Sequence, residues 1–192
     1  MPRIETETLA QHRDWRRSQL IDAAAAIALE SGGAAITVAA VAQRAGLSRT
    51  SVYEYFGSSA ELVADLVIDE LNNFARVLAD AVDNCSGASS CIEAWIEGAL
   101  TYIADGRHLL AKALNATAIP QSRSHNIAMA HRALMAPLVS GFEKLGVKDI
   151  QQAMVFVQAI TDAATKRIEA GHDAEAEIKN ATAFCINGLA SI

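Results

Sequence analysis

Residues 37–57 read TVAAVAQRAGLSRTSVYEYFG, and this stretch predicts two short helices joined by a tight turn. Gly46 marks the turn, because glycine enters the left-handed backbone conformation at little cost, and Ser48 can cap the second helix. Apolar residues recur at helical spacing, with Val38, Val41, Ala42 and Ala45 in the first helix and Val52, Tyr53 and Phe56 in the second. Ala42 is small enough for the helices to cross closely. The pattern is that of a helix-turn-helix, a unit whose second helix enters the DNA major groove.

The chain around this unit resembles the TetR family of bacterial transcriptional regulators, from about Asp14 to Val67 and without a gap. The motifs that carry the resemblance are RSQLIDAA at 17–24, SGG at 31–33, IT at 36–37, VA at 41–42, AGLS at 45–48, VYEYF at 52–56 and SSAEL at 58–62. The resemblance implies an all-α fold of about nine helices. We expect a flexible tail at 1–12, a three-helix DNA-binding domain at 13–57, and a helical ligand-binding and dimerisation domain at 58–192.

The DNA contacts that we expect come from the second helix and its surroundings. Arg49 is placed for a bidentate contact to guanine or for a phosphate contact, and Thr50 and Ser51 are placed for a base or a phosphate. Tyr53 and Tyr55 resemble the phosphate-contacting tyrosines of the family, with packing as the alternative for Tyr55. The remaining candidates are Thr37, Arg44, Ser48, Ser58 and Ser59, among which Arg44 has the alternative of a solvated charge.

The sequence departs from the family pattern at Ser59, where a phosphate-contacting lysine usually stands. The N-terminus of a helix still offers backbone N–H groups to a phosphate there. With one positive charge fewer, we expect a weaker salt dependence of DNA binding per half-site.

Charge is distributed unevenly along the 192 residues. The whole net charge of −6 lies in residues 58–192, because residues 1–57 contain six arginines and six acidic residues. DNA binding must therefore depend on a few placed groups rather than on a broad positive field.

No apolar run is long enough for a membrane span, and we expect a cytoplasmic, nucleoid-associated bacterial protein. Three cysteines fit reduced thiols in a cytoplasm, while a redox or metal role for Cys85 and Cys91 stays open.

Outside residues 37–57 the chain is also predicted to be helical. The expected helices span 13–31, 58–84, 91–105, 108–116, 126–145, 149–170 and 173–189, with a loop at 117–124. Glu61 follows Ser58 by three residues, as in a capping box, and Asp149 is placed to begin a helix. Pro137 predicts a kink or a local break in the helix that contains it.

The last two helices are the expected surface for a homodimer, as the resemblance implies. The apolar residues expected on their inward faces are Met154, Phe156, Val157, Ile160, Ala163, Ala164 and Ile168 in one helix and Ile178, Ala181, Phe184, Cys185 and Leu189 in the other. Since apolar residues occur on more than one face of these helices, we expect more than one face to be buried against other helices. The alternative is that the second face is covered within the monomer.

The resemblance also implies a pocket for a small-molecule effector within the second domain. The candidate lining residues are Trp95, Tyr102, Leu110, Leu114, His131, Met135, Phe142 and Phe156, with Met129 beside them. For the apolar and aromatic candidates the alternative is a plain hydrophobic core, which is the more frequent role of such residues; His131 is a polar candidate. His108 and His125 are further polar candidates, and the spacing of His125 and His131 does not favour a metal site; no metal or cofactor is expected.

The sequence therefore predicts a homodimeric repressor that leaves a palindromic double-stranded operator when a small-molecule effector binds. The alternative is a DNA-binding regulator that needs no ligand or that requires a corepressor. We expect no enzyme, because the chain lacks the Gly-x-Ser-x-Gly, phosphate-binding glycine-loop and His-Glu-x-x-His motifs.

Overall fold

The computed structural model describes residues 9–114 and 120–189, and these residues form nine α-helices and two short 3₁₀ turns without a β-strand. The helices are α1 (Leu9–Ser31), α2 (Val38–Ala45), α3 (Arg49–Tyr53), α4 (Ser59–Val82), α5 (Ala88–Ala104), α6 (Leu109–Leu114), α7 (Ser124–Leu145), α8 (Ile150–Glu169) and α9 (Ala174–Leu189). The 3₁₀ turns are Gly33–Ala35 and Gln121–Arg123. The all-helical fold is confirmed. None of the described helices is long and apolar enough to cross a membrane.

Two compact units divide the chain. The first takes the described residues of Met1–Glu70 and Leu110–Ile127, and the second takes those of Leu71–Leu109 and Ala128–Ile192. Helix α4 therefore contributes its first half to one unit and its second half to the other. The domain boundary expected from the sequence lies at Gly57, whereas the first compact unit extends thirteen residues further, to Glu70, and includes α6 from Leu110 onward.

The core of the first unit is built from the apolar stripes of its helices. Its most deeply buried side chains are Leu20, Ala24 and Ala28 of α1, Val41 and Ala42 of α2, Val52 of α3, Phe56, and Leu62 and Val63 of α4. Leu114 of α6 is buried in the same cluster. Helix α3 has only five residues, too few to be stable alone, so the burial of Val52 and Phe56 holds it in place.

A buried carboxylate connects three segments of the first unit. Asp65 of α4, with its side chain 9% exposed, accepts a hydrogen bond from Arg17 of α1 at 2.6 Å. Arg123 lies 3.2 Å from the other carboxylate oxygen of Asp65. Arg17 also lies over the ring of Phe56, 5.7 Å from its centroid, and 3.7 Å from Asp69. Burial raises the pKa of Asp69, the Arg17 charge lowers it, and the Asp65 charge adds to the rise.

The second unit has its own apolar core. Its buried residues include Leu78 of α4, Ile92, Trp95, Ile96 and Leu100 of α5, Leu134, Leu138 and Phe142 of α7, Val157 of α8, and Ala181 and Cys185 of α9. The indole N–H of Trp95 donates a hydrogen bond to the carbonyl of Leu134 at 3.2 Å, which satisfies its one polar atom.

Several expected helix limits differ from the structure. Residues 1–8 of the predicted tail lie outside the described residues, whereas residues 9–12 are already part of α1, where neither glycine nor proline interrupts a helix. Helix α7 continues through Pro137, so a break there is wrong. Residues 117–119 of the predicted loop also lie outside the described residues, and the rest of that loop is a 3₁₀ turn leading into Ser124.

The burial of three aromatic side chains also differs from expectation. Tyr53 is 57% exposed, because the core side of so short a helix is taken by Val52 and by the following Phe56. Phe156 of α8 and Phe184 of α9 were expected to face inward and are 48% and 68% exposed. Ala153 and Val157 in α8 and Ala181 and Cys185 in α9 fill the inner positions instead.

The cysteines divide into a pair and a single residue. Cys85 and Cys91 form a disulfide, so the expectation of three reduced thiols is wrong for these two. Cys185 is unpaired and buried, and burial raises the pKa of its thiol to about 11.

We predict that Asp65→Asn destabilises the protein by about 1–3 kcal/mol, because the variant loses charge-assisted hydrogen bonds that hold α1 and the Arg123 segment on α4. The matched control is Asp69→Asn, one turn along α4, which loses only a half-exposed pair and should cost less than about 1 kcal/mol. Urea unfolding at neutral pH measures both. Equal decreases in the free energy of unfolding of the two variants would contradict a special role for the ion pairs of Asp65 with Arg17 and Arg123.

Candidate DNA-binding surface

Side-chain caps fix both helices of the helix-turn-helix. The hydroxyl of Thr37 accepts a hydrogen bond from the N–H of Ala40 at 3.1 Å, and that of Ser48 accepts one from the N–H of Ser51 at 3.0 Å. Gly46 has φ 67° and ψ 31°, so the predicted left-handed turn is confirmed. The N–H groups of Gly46 and Leu47 return to the carbonyls of α2, and this closes the helix directly before the next cap.

Helix α3 presents a short row of exposed polar side chains. Arg49 and Thr50 are exposed in its first turn, and Tyr53 is exposed one turn later. Ser51 is half-buried, and its hydroxyl lies 3.0 Å from that of Ser48. Ser48 and Ser51 are therefore engaged in the cap, whereas Arg49, Thr50 and Tyr53 project together from one short helix.

Arg44 of α2 is held by a carboxylate of α1. Both of its terminal nitrogens donate hydrogen bonds to the carboxylate oxygens of Glu30, each at 2.6 Å. The hydrogen bond from Arg44 lowers the pKa of Glu30, and Glu30 raises the pKa of Arg44, so both groups are charged at neutral pH. Sequence reasoning missed Glu30, because a pair fourteen positions apart on two helices leaves no periodic signal. In this structure the charge of Arg44 is neutralised at the surface.

Ser58 and Glu61 close the start of α4 as expected, except that the Glu61 carboxylate binds the N–H one residue before the N-cap. The hydroxyl of Ser58 accepts a hydrogen bond from the N–H of Glu61 at 3.1 Å, and the Glu61 carboxylate accepts one from the N–H of Gly57 at 3.0 Å. Ser59 is half-buried at the first helical position. A helix start offers N–H groups to an anion, but the Glu61 carboxylate lies within the same turn and opposes one.

Tyr55 differs from Tyr53 in its surroundings. It is half-buried against the core of the first unit, and the guanidinium of Arg13 lies 5.9 Å from its ring centroid. The packing alternative for Tyr55 is thus supported by its contacts, while its hydroxyl position relative to DNA stays a prediction.

The eight candidate ligand-lining residues lie in different surroundings. Leu114 is buried and Leu110 half-buried in the first unit, while Trp95, Tyr102 and Phe142 are buried and Met135 half-buried in the second. His131 is exposed on α7. Tyr102 stacks on Phe74 of α4 with ring centroids 4.3 Å apart. His108 contacts Glu169 of α8 at 2.8 Å through its Nε2 atom.

An apolar groove lies between α8 and α9. Its volume is about 360 Å³, and its lining residues are Phe156, Val157, Ala159, Ile160, Phe184, Cys185, Gly188 and Leu189. Of the candidate ligand residues, Phe156 is the one that lines it. The groove coincides with the helices that the sequence assigned to dimer formation, and Phe156 and Phe184 are its exposed edges.

Residues 20–66 match the family described as "Bacterial regulatory proteins, tetR family". The matched segment runs from the middle of α1 into α4 and contains both helices of the helix-turn-helix. No curated protein matches the chain.

Solved structures show the same fold at low identity. A TetR-like transcriptional regulator from Rhodococcus sp. RHA1 is 22% identical, covers 100% of both chains and has a TM-score of 0.70. The regulator FadR from Bacillus subtilis, solved in complex with stearoyl-CoA, is 18% identical over 89% of this chain and 98% of that chain, with a TM-score of 0.72. A protein described as superantigen PfiT is 14% identical over 88% of this chain and 95% of that chain, with a TM-score of 0.77.

These likenesses establish the fold. Since proteins of this fold include both transcriptional regulators and a superantigen, the fold alone does not assign a function. The match over residues 20–66 is specific to the helix-turn-helix unit and to the helices that support it. Residues 20–66 are therefore similar to the helix-turn-helix segment of tetR-family regulatory proteins, and the chain as a whole shares the fold of the solved structures.

Proposed function

We propose that the protein is a homodimeric repressor that binds a near-palindromic operator and is released from it by an apolar small molecule. The observation that carries the proposal is the exposed trio Arg49, Thr50 and Tyr53 on a helix whose start and core side are both fixed. A short capped helix with its polar side in solvent can enter a major groove without rearrangement.

Arg49 is the residue that reads a base in this proposal. It is exposed in the first turn of α3, where side chains reach base edges, while the nearby Arg44 is bound to Glu30. A guanidinium fork matches the O6 and N7 acceptors of guanine, and such a pair contributes about 1–3 kcal/mol of discrimination. Thr50 and Tyr53 then serve as neighbouring base or phosphate contacts.

A second copy of the chain is the occupant proposed for the groove between α8 and α9. The exposed apolar side chains Val155, Phe156 and Phe184 lie on these two helices, and the small residues Ala159 and Gly188 allow close approach between them. Apolar surface of this kind is typical of contact sites between proteins. A two-fold dimer presents two recognition helices about 34–36 Å apart, which accounts for a palindromic operator.

The proposed effector is an apolar molecule bound in the second unit, whose interior is almost wholly hydrophobic. The structural likeness to FadR, solved with stearoyl-CoA, makes long-chain acyl thioesters the first compounds to try. Release follows if the effector favours a conformation with lower DNA affinity. A coupling of about 1–3 kcal/mol lowers operator affinity roughly 5–150-fold. Helix α4, with residues in both units, is the proposed carrier of that change.

We predict that selection from random duplex DNA enriches a palindromic motif, and that Arg49→Ala loses the preference at one position of each half-site. The matched control Arg49→Lys keeps the charge but not the fork, so it should also lose that preference while retaining more affinity. If Arg49→Lys preserves the full motif, Arg49 contacts a phosphate rather than a base. No enriched motif for the wild-type protein would point to a corepressor-dependent regulator.

We predict that Glu30→Gln strengthens binding to random-sequence duplex DNA, because it releases Arg44 for a phosphate contact. The slope of log affinity against log salt should steepen by about 0.9 per protomer. Fluorescence anisotropy over a range of KCl concentrations measures this. Asp22→Asn is the control, since Asp22 is an exposed acid on the same helix about 12 Å from Glu30. Equal changes in both variants would mean that only net charge matters.

We predict that Phe184→Glu converts a dimer into a monomer at micromolar concentration, because the new carboxylate would be buried in the proposed interface. Sedimentation velocity measures the change. Met129→Glu is the control, because Met129 is 50% exposed on α7 and lies outside the groove. A wild-type monomer, or a Phe184→Glu dimer, would contradict the proposed use of this surface.

A further inference from the structure

Two cysteines stand at the junction between α4 and α5. Cys85 follows the end of α4 at Val82, and Cys91 lies in the first turns of α5, which begins at Ala88. They are six positions apart, their Cα atoms are 5.1 Å apart, and their sulfurs are bonded. Both residues are half-exposed, so small molecules in solution can reach the pair.

The third cysteine of the chain has the opposite surroundings. Cys185 is 2% exposed in the core of the second unit. Burial raises the pKa of its thiol to about 11, which keeps it protonated and unreactive at neutral pH. The chain therefore contains an accessible pair and an inert single thiol, and the second is an internal control for the first.

The two paired sulfurs are not equivalent. Side chains of an α-helix point toward its N-terminus, so the Cys91 sulfur faces the positive end of α5. Cys85 lies just beyond the negative end of α4, with Asp83 two residues before it. A helix N-terminus favours the thiolate form, which is the nucleophile in disulfide exchange. Cys91 is thus the attacking group, and Cys85 is the group that completes the bond.

We propose that Cys85 and Cys91 form a reversible redox site that exchanges with low-molecular-weight disulfides, independently of the proposed function in DNA binding. In the first step the Cys91 thiolate attacks a disulfide RSSR, which gives a Cys91–S–SR mixed disulfide and releases RS⁻. The Cys85 thiol then loses its proton to solvent and attacks the Cys91 sulfur, and this releases the second RS⁻. In sum, two protein thiols are oxidised to one disulfide, and one RSSR is reduced to two RSH.

The bond has a local structural consequence. It joins the end of α4 to the start of α5 across a turn that contains Gly87, with φ 99°. Closing so short a loop removes conformations of the turn, so the oxidised form is the more ordered one. Reduction should speed amide hydrogen exchange at the junction, residues 83–90, relative to the oxidised protein.

The test uses the full-length protein in buffers of reduced and oxidised glutathione, followed by alkylation with a maleimide and intact-mass analysis. We expect two of the three thiols to be protected together, with one midpoint, within the range of glutathione potentials. Cys185→Ser should titrate in the same way. Cys91→Ser should form no internal disulfide, and Cys85→Ser should accumulate a mixed disulfide with glutathione on Cys91.

Two results would overturn the proposal. Thiols that stay alkylatable even in oxidised glutathione would show that the pair does not react. A disulfide that resists reduced glutathione until the chain is unfolded would show a permanent structural bond. Unchanged hydrogen exchange at residues 83–90 on reduction would overturn the ordering of the junction.

Discussion

The carboxylate of Asp65 is buried within the first unit, and a buried charge is tolerated only where opposite charges and hydrogen bonds compensate its lost hydration. Arg17 supplies one partner from α1, and Arg123 supplies the other from the segment before α7. The second partner comes from far along the chain, and Leu114 is buried in the same unit. The Arg123–Asp65 pair and the burial of Leu114 therefore both hold the described residues of Leu110–Ile127 in the first unit.

The DNA-binding surface depends on that support. Arg17, held by Asp65, also lies over Phe56, the buried residue that follows α3. Since α3 is too short to persist alone, its orientation is set by Phe56 and Val52 and by the Ser48 cap. The position of Arg49 and its exposed neighbours is thus set by buried residues and a helix cap, and their own side chains do not contribute to it. We expect that the side chains proposed to contact DNA can be substituted with little loss of stability, whereas the buried side chains beneath them cannot.

Local signals were predictable from the sequence, and long-range ones were not. Gly46 and the caps at Thr37, Ser48 and Ser58 act within four residues, so spacing alone reveals them. The Glu30–Arg44 pair and the Asp65 cluster join helices distant in sequence and leave no periodic pattern. The exposed Phe156 and Phe184 illustrate a second limit. Helical periodicity identifies an apolar position, but it does not distinguish a core within the chain from a face that a second copy would cover.

In the proposed function, charge balance decides which contacts with DNA carry specificity. The region through Gly57 has as many acids as arginines, Glu30 neutralises Arg44, and serine replaces the usual lysine at position 59. Non-specific affinity for DNA comes almost wholly from phosphate neutralisation, so this surface supplies little of it. The base contact proposed for Arg49 does not depend on those charges. Since a regulator must reject a large excess of competing sites, weak phosphate binding with an intact base contact raises the ratio of specific to non-specific affinity even as total affinity falls.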